Sequence, residues 1–431
     1  MIFYILLLGF IFRVISLNQS LWLDEATTAL AAKMDISYFF TNFMPAYFHP
    51  PLYYQVIHYW SMLFGTSEVA LRVLSVIFGV LTIYAVYLIA KELKFKHPFY
   101  PMLLMATSGL HVYYSQEARM YAMAAWLVSY LVLSYLRKKW VLFSILLSFI
   151  YLTDYLSILI LPALVIYTYI FDRKIFKKLL YSTSFLLITF IGWLPIFFSQ
   201  LTNGLAVKEN ASGWWNILGP VTFKNILLIP TKFIVGRISL DNKILYGLVI
   251  GVLLIIFGYA ISKAKNKLIW SWFGISFLFG VAVSFFIPTL TYFRYLFILP
   301  ALYLLLSENI NKSLFIVILF FNILFTSIYL FYPGFHRENW REVSNIIGSE
   351  KIVFPVSSQK EALIYYGKEE NIISGQELRT IGNEPVWLSR YVWEVFDPTD
   401  STRLQLIDMR YNMILETNYN GVVIQKYESR N

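Results

Sequence analysis

Uninterrupted apolar blocks separated by short polar turns run from the start of the chain to about residue 332, and polar, mixed-period sequence follows. The blocks fall at about 1–17, 68–90, 98–114, 119–136, 140–153, 155–171, 179–199, 244–262, 268–288, 292–307 and 313–332, and they read as membrane-crossing helices. Only Thr153-Asp154-Tyr155 separates the fifth from the sixth, and only Pro288 to Thr291 the ninth from the tenth, so both pairs read as tight helical hairpins. The opening block has no basic leader and no small-residue cleavage site, and Trp22 and Asp24 follow at once, so it reads as a retained span. After residue 332 the pattern predicts strands at Lys351–Val356, Asn371–Ser374, Val386–Trp393 and Gly421–Lys426, with helices at Gln359–Tyr366 and Thr402–Thr417. The fold class expected is mainly α: a polytopic membrane protein of about 11 transmembrane helices over residues 1–332, plus a small C-terminal α/β domain over 333–431.

Composition agrees. Hydrophobic residues make up 58% of the 431 and charged residues 14%, against about 45–50% and about 25% in soluble domains. The aromatic share of 19%, with 32 Tyr and 12 Trp, suits side chains gathered at membrane–water interfaces. A net charge of +10 is the one feature that could suggest nucleic acid. The basic residues instead cluster in short alternate loops: Lys91/Lys94/Lys96, Arg137/Lys138/Lys139, Arg173/Lys174/Lys177/Lys178 and Lys263/Lys265/Lys267. Four such clusters on one side orient the chain with that side in the cytoplasm, and no nucleic-acid partner is expected. Two long outer loops result, 18–67 and 200–243, and the C-terminal domain is placed outside. With no cysteine in the chain, disulfides and Cys-based chemistry are excluded.

The candidate chemistry gathers at the outer face. Asp24-Glu25 opens the first outer loop, where an acidic pair is costly to desolvate, although first-turn acids also cap helices. His49 sits in Phe48-His49-Pro50-Pro51-Leu52-Tyr53-Tyr54, just before a helix whose N-terminus can face an anion. Glu117, Arg119 and Tyr121 come from the short turn in Tyr113-Tyr114-Ser115-Gln116-Glu117-Ala118-Arg119-Met120-Tyr121. Arg72 and Arg294 lie just inside outer span ends, where arginine either snorkels to headgroups or grips phosphate. Arg13 and Asp154, at similar depth, read as structural. A carboxylate that takes a proton, cations that meet a leaving phosphate, and aromatic rings for sugar or lipid suit a lipid-linked phosphosugar.

These motifs, together with ALRVLSVIFGVLTIYAVYLIAKEL, a late FRYLFILPAL and the Glu338-Asn339-Trp340-Arg341 element, resemble the GT-C glycosyltransferases. Most similar is the branch near protein O-mannosyltransferases and lipid A aminoarabinose transferases. The resemblance covers nearly all of the membrane part. It implies inverting transfer from a polyprenyl-phosphate sugar to a lipid, glycan or protein acceptor at the outer face. Asp24 is then the catalytic base, with Glu25 beside it and Glu117 as second acid. His49, Tyr53, Arg72, Arg119, Tyr121 and Arg294 become the substrate-binding set. His49 stands where the aminoarabinose transferases carry a phosphate-binding Lys, and Ala26-Thr27-Thr28 follows the acidic pair where that branch has an Arg. The resemblance therefore does not extend to an aminoarabinose donor. Some relatives hold a divalent metal and others need none; with no dense ligand cluster in this sequence, none is expected as a requirement. The rival expectation, a transporter or flippase of lipid-linked sugars, calls for mid-membrane ionisable groups and internal repeats.

Overall fold

A computed structural model describes residues 1–210, 212–356 and 359–430. Every apolar block is helical. Glu68–Glu92, Arg173–Ala206, Lys243–Ile261, Lys267–Ser284 and Lys312–Phe331 are long and apolar enough to cross a membrane. Shorter apolar helices occupy Ile2–Val14, Tyr121–Leu136, Trp140–Thr153, Leu156–Phe171 and Tyr292–Ser307. The block at 98–114 is two helices, Phe99–Ala106 and Gly109–Ser115.

That interruption would leave carbonyls unpaired in a setting without water, and other helices supply the donors. Asn322 Nδ2 reaches Leu104 O at 3.1 Å, Arg13 Nη2 reaches Met105 O at 3.4 Å and Arg13 Nη1 reaches Ala106 O at 3.1 Å. Thr326 Oγ1 donates to Thr107 O at 2.7 Å. The Arg13 guanidinium also contacts His111 Nδ1 at 2.6 Å and donates to Ser115 Oγ at 3.1 Å. It fits because Gly79 has no side chain: a Cβ there would lie 2.3 Å from Ser115 Oγ and 2.9 Å from Arg13 Nε. Arg13 is thus a structural splint, as its sequence position suggested.

The outer loops are mainly helical. Leu23–Ala31 and Leu52–Phe64 fill the first, and Ser212–Ile217 and Phe223–Val235 lie in the second. The C-terminal domain is a mixed sheet of five strands: β1 (Lys351–Phe354), β2 (Ile372–Ser374), β3 (Val386–Ser389), β4 (Tyr411–Tyr419) and β5 (Val422–Ser429). Their order is β2-β1-β3-β5-β4, with β1 parallel to β2 and β3 and the other pairs antiparallel. Alternation along the strands divides two faces. Val353, Val386 and Leu388 pack with Leu378 and Leu406 on one. Ile352, Phe354 and Trp387 join Trp340, Val343 and Leu363 in a core continuous with the membrane helices. The C-terminal sheet is therefore packed onto the membrane helices.

Two expectations fail here, the first being the strand predicted at Val386–Trp393, which ends at Ser389 and gives way to a short helix that starts at Trp393. The helix predicted at Thr402–Thr417 stops at Asp408, and β4 occupies the rest. Leu404, Ile407, Tyr411 and Leu415 mimic a helical repeat, but Arg410 at φ +63° ends the helix. Asn420 at φ +52° and Gly421 at φ +99° then form the tight turn that pairs β4 with β5, and an Asn-Gly pair is a strong hairpin signal. The turn also holds the domain entrance, because Asn420 Nδ2 donates to His336 O at 2.7 Å and to Arg337 O at 2.8 Å. Asn420→Ala should lose both bonds and strain the turn, costing about 1–2 kcal/mol. A lower thermal midpoint of the full chain in detergent is the measurement that checks it.

Candidate active site

The site is built around one buried ion pair. Glu25 and Arg72, both fully buried, meet at 2.8 Å (Nε–Oε1) and 2.5 Å (Nη2–Oε2). The remaining Arg72 donors go to Leu17 O at 2.9 Å, Gln19 O at 2.5 Å and Ser20 O at 2.9 Å. All five guanidinium N–H groups are used. Arg72, expected among the substrate-binding residues, therefore has no donor left for a phosphate and is a clamp on the end of the first span. Glu25 likewise is enclosed rather than presented to a substrate: its Oε1 also accepts from Ala118 N at 2.8 Å. Burial alone would raise its carboxyl, but Arg72 and then Arg337 hold it below the ordinary carboxylate value, so it stays charged.

Asp24, one residue earlier on the helix Leu23–Ala31, points elsewhere. Its side chain is 37% exposed, against 0% for Glu25. Arg119 Nη2 lies 3.4 Å from Asp24 Oδ2, while Nη1 donates to Tyr47 Oη at 2.9 Å and Tyr54 Oη at 3.0 Å. Arg119 Nε and Nη2 have no hydrogen-bond partner among the described residues. Buried donors without partners are costly, so Arg119 contrasts with Arg72: it keeps capacity for an anion.

Glu117 is 1% exposed, and neither of its oxygens has a hydrogen-bond partner among the described residues. Burial, with Glu25 and Asp24 adding to it and Arg337 and Arg119 opposing, pushes its carboxyl up to about 7. A buried acid titrating near neutrality suits proton exchange.

Three residues were missed in the sequence. Arg337, at the entrance to the outer domain, places Nε 3.5 Å from Glu25 Oε2 and Nη2 3.6 Å from Glu117 Oε2, with its guanidinium 4.3 Å from the Tyr113 ring centroid. Arg237 also lies over Tyr113, at 4.8 Å, donates to Tyr292 Oη and remains exposed. Glu338 accepts from Trp340 Nε1 and Tyr391 Oη, both at 2.8 Å. Only Glu338 lay within a quoted motif; nothing in the local pattern around Arg237 or Arg337 marks them, since each is brought in by tertiary packing.

His49 is half-buried on the rim. Its crowded setting first, then Arg119 and Arg294, hold its imidazole well below the usual range, so it is a neutral hydrogen-bonding group rather than a cation. Arg294 Nη1 donates to Pro288 O at 3.0 Å. Tyr121 packs against Tyr114 and Phe293 at 5.4 and 5.3 Å, with Arg119, Asp24, Arg294 and Glu117 around its hydroxyl. Tyr53 stands behind them, fully buried, its hydroxyl 3.1 Å from Ser75 Oγ. Among the described residues no group of three or more His, Cys, Asp or Glu is placed to hold a metal ion.

The dolichyl-phosphate-mannose-protein mannosyltransferase family profile matches residues 48–197, a stretch that includes His49, Arg72, Glu117, Arg119 and Tyr121. Among solved structures, the chain is similar to ArnT from Cupriavidus metallidurans bound to undecaprenyl phosphate, at 12% identity and a TM-score of 0.59, over 98% of this chain and 96% of that one. This is a GT-C fold. The apo structure of the same ArnT is similar at 14% identity and a TM-score of 0.48, over 98% of this chain and 96% of that one. No curated protein matches by sequence. In this chain the adjacent acids of the first long loop have opposite settings, one enclosed and one open.

Two outcomes follow from these settings. Glu25→Gln leaves Arg72 without its counter-charge and should cost about 3–5 kcal/mol, seen as lost folded yield and a lower thermal midpoint, whereas Asp24→Asn should change neither appreciably. Because Glu117 is raised from 4.5 to about 7, the folded chain retains a proton that the unfolded chain releases. Its stabilising contribution is full below the lower value and is lost as pH rises through the upper one. The thermal midpoint of Glu117→Gln relative to the parent should therefore increase between about pH 5 and about pH 8.

Proposed function

We propose that this chain is a membrane glycosyltransferase that moves a sugar from a polyprenyl-phosphate donor to an acceptor hydroxyl, by inverting single displacement. The observation that carries the reading is the open Asp24 carboxylate beside Arg119, a buried arginine with unspent donors. Asp24 takes the proton of the acceptor hydroxyl as its oxygen forms the new bond to the anomeric carbon. The bond from that carbon to the phosphate oxygen breaks, and its electron pair leaves with polyprenyl phosphate. Arg119, Arg294 and the exposed Arg237 surround the space where that negative charge grows. His49, neutral, donates a hydrogen bond, and Tyr121 offers a ring edge and hydroxyl. Glu25, Arg72 and Arg337 hold this constellation from behind, and Glu117 is the second acid.

Support comes from the match to a family described as using dolichyl-phosphate-mannose, and from the fold shared with an ArnT bound to undecaprenyl phosphate. The basic loops on the opposite side support a site that faces away from the cytoplasm. The sugar is a hexose or a pentose, and the acceptor a lipid, glycan or protein.

Asp24→Asn is expected to abolish transfer from a polyprenyl-phosphate sugar in detergent while leaving folding and membrane insertion intact. Near-normal turnover in that variant would overturn the assignment of the base. Glu117→Gln should reduce turnover severely, and Arg294→Ala should raise the KM for donor by about tenfold, the cost of about one charged hydrogen bond.

A further inference from the structure

A cavity of about 400 Å³ opens on the outer domain, lined by Arg390, Tyr391, Trp393, Glu394, Glu416 and Gln425. That volume is within the range of small-molecule sites. The backbone makes it at some cost. Arg390 N still bonds to Val423 O at 2.9 Å, beside β5, but Val392 then adopts φ +47°. For a β-branched residue this left-handed conformation is an outlier, and such outliers gather at functional sites. The turn sends Trp393–Phe396 out as a short helix. It rests on Ser212–Ile217, where Trp214 meets Phe396 at 5.8 Å and side-chain-free Gly213 lets Val395 approach.

The lining is fixed rather than loose. The Arg390 guanidinium stacks on the Trp393 ring at 3.9 Å and pairs with Asp400. Gln425 Nε2 donates to Glu416 Oε2 at 2.6 Å, and its Oε1 accepts from Tyr427 Oη at 3.0 Å. A flat, half-buried ring offers an apolar platform, while two carboxylates and a tyrosine supply directional partners for hydroxyl groups. Glu394 and Glu416 set two carboxylates against the single lining cation Arg390, whose partner Asp400 is shared with Arg403, and this acidic balance disfavours a phosphate.

The cavity is also wired to the candidate active site. Tyr391 lines it and donates to Glu338 at 2.8 Å. Glu338 adjoins Arg337, which pairs with Glu25 and Glu117.

From the ring, its acceptor-rich rim and the Tyr391–Glu338 link, we infer that this cavity binds the uncharged saccharide portion of the acceptor and so presents a hydroxyl to Asp24. The inference rests on the glycosyltransferase reading and narrows the acceptor to a glycan-bearing molecule.

Calorimetric titration of the full chain in nanodiscs with mannotetraose, maltotetraose and chitotetraose tests it, with a neutral Ser/Thr-containing peptide as the competing probe. At least one oligosaccharide should bind saturably without donor present. Trp393→Ala and Glu394→Gln, the latter an exposed side chain, should each weaken that binding by about tenfold, as expected for a lost aromatic platform or hydrogen bond. Hydrolysis of a polyprenyl-phosphate sugar by water should stay at the parental rate in both. No oligosaccharide binding, binding unaltered in both variants, or binding of the peptide alone overturns the inference. Failure of the parent protein to act on any polyprenyl-phosphate sugar strikes instead at the proposed function.

Discussion

The ion pair of Glu25 and Arg72 is the constraint on which the remaining site geometry depends. Two charges removed from water are tolerable only when every donor and lone pair is used, and here they are used to join distant parts of the chain. Arg72 brings in the three carbonyls of Leu17, Gln19 and Ser20, so the exit of the first span is fixed against the second. Glu25 binds the Ala118 amide, so the turn bearing Glu117 and Arg119 is fixed as well. Gln116, in the same turn, donates to Arg13 O and Ile15 O and accepts from Tyr329. The end of the first span is thus gripped from both sides, and the adjacent Asp24 is held facing the open space.

This frame separates residues that look alike in composition. Arg72 and Arg119 are both buried arginines beside acids, yet one has spent its donors and the other has not. Asp24 and Glu25 are neighbours on one helix, but successive residues project about 100° apart, enough to put one carboxylate in the core and the other at an opening. Which group is enclosed and which keeps free capacity is therefore set by helical geometry and donor counting rather than by residue type.

Much of this was legible in the chain. The apolar blocks located the helices, because backbone in a bilayer must satisfy itself internally, and the acid pair, the HPP turn and the Glu117 turn marked the site-bearing segments. The sequence could not say which acid was enclosed, since both readings of a first-turn carboxylate are locally equal. It also hid Arg337 and Arg237, which meet Glu25 and Tyr113 only through contacts spanning more than a hundred residues. The Asn420-Gly421 signal was present but outweighed by a helix-like repeat in Thr402–Thr417, which pairing with β5 overrides.

Asn420 and Arg337 together have a consequence for biosynthesis. The hairpin turn follows all of the apolar helices along the chain, yet it fixes the backbone of the residue that reaches between Glu25 and Glu117. Until β4 and β5 have left the ribosome, the segment that carries Arg337 lacks its clasp. Assembly of this face is thereby deferred until strands that follow every span have been made, and a chain cut before Asn420 would insert its spans without the clasp on Arg337.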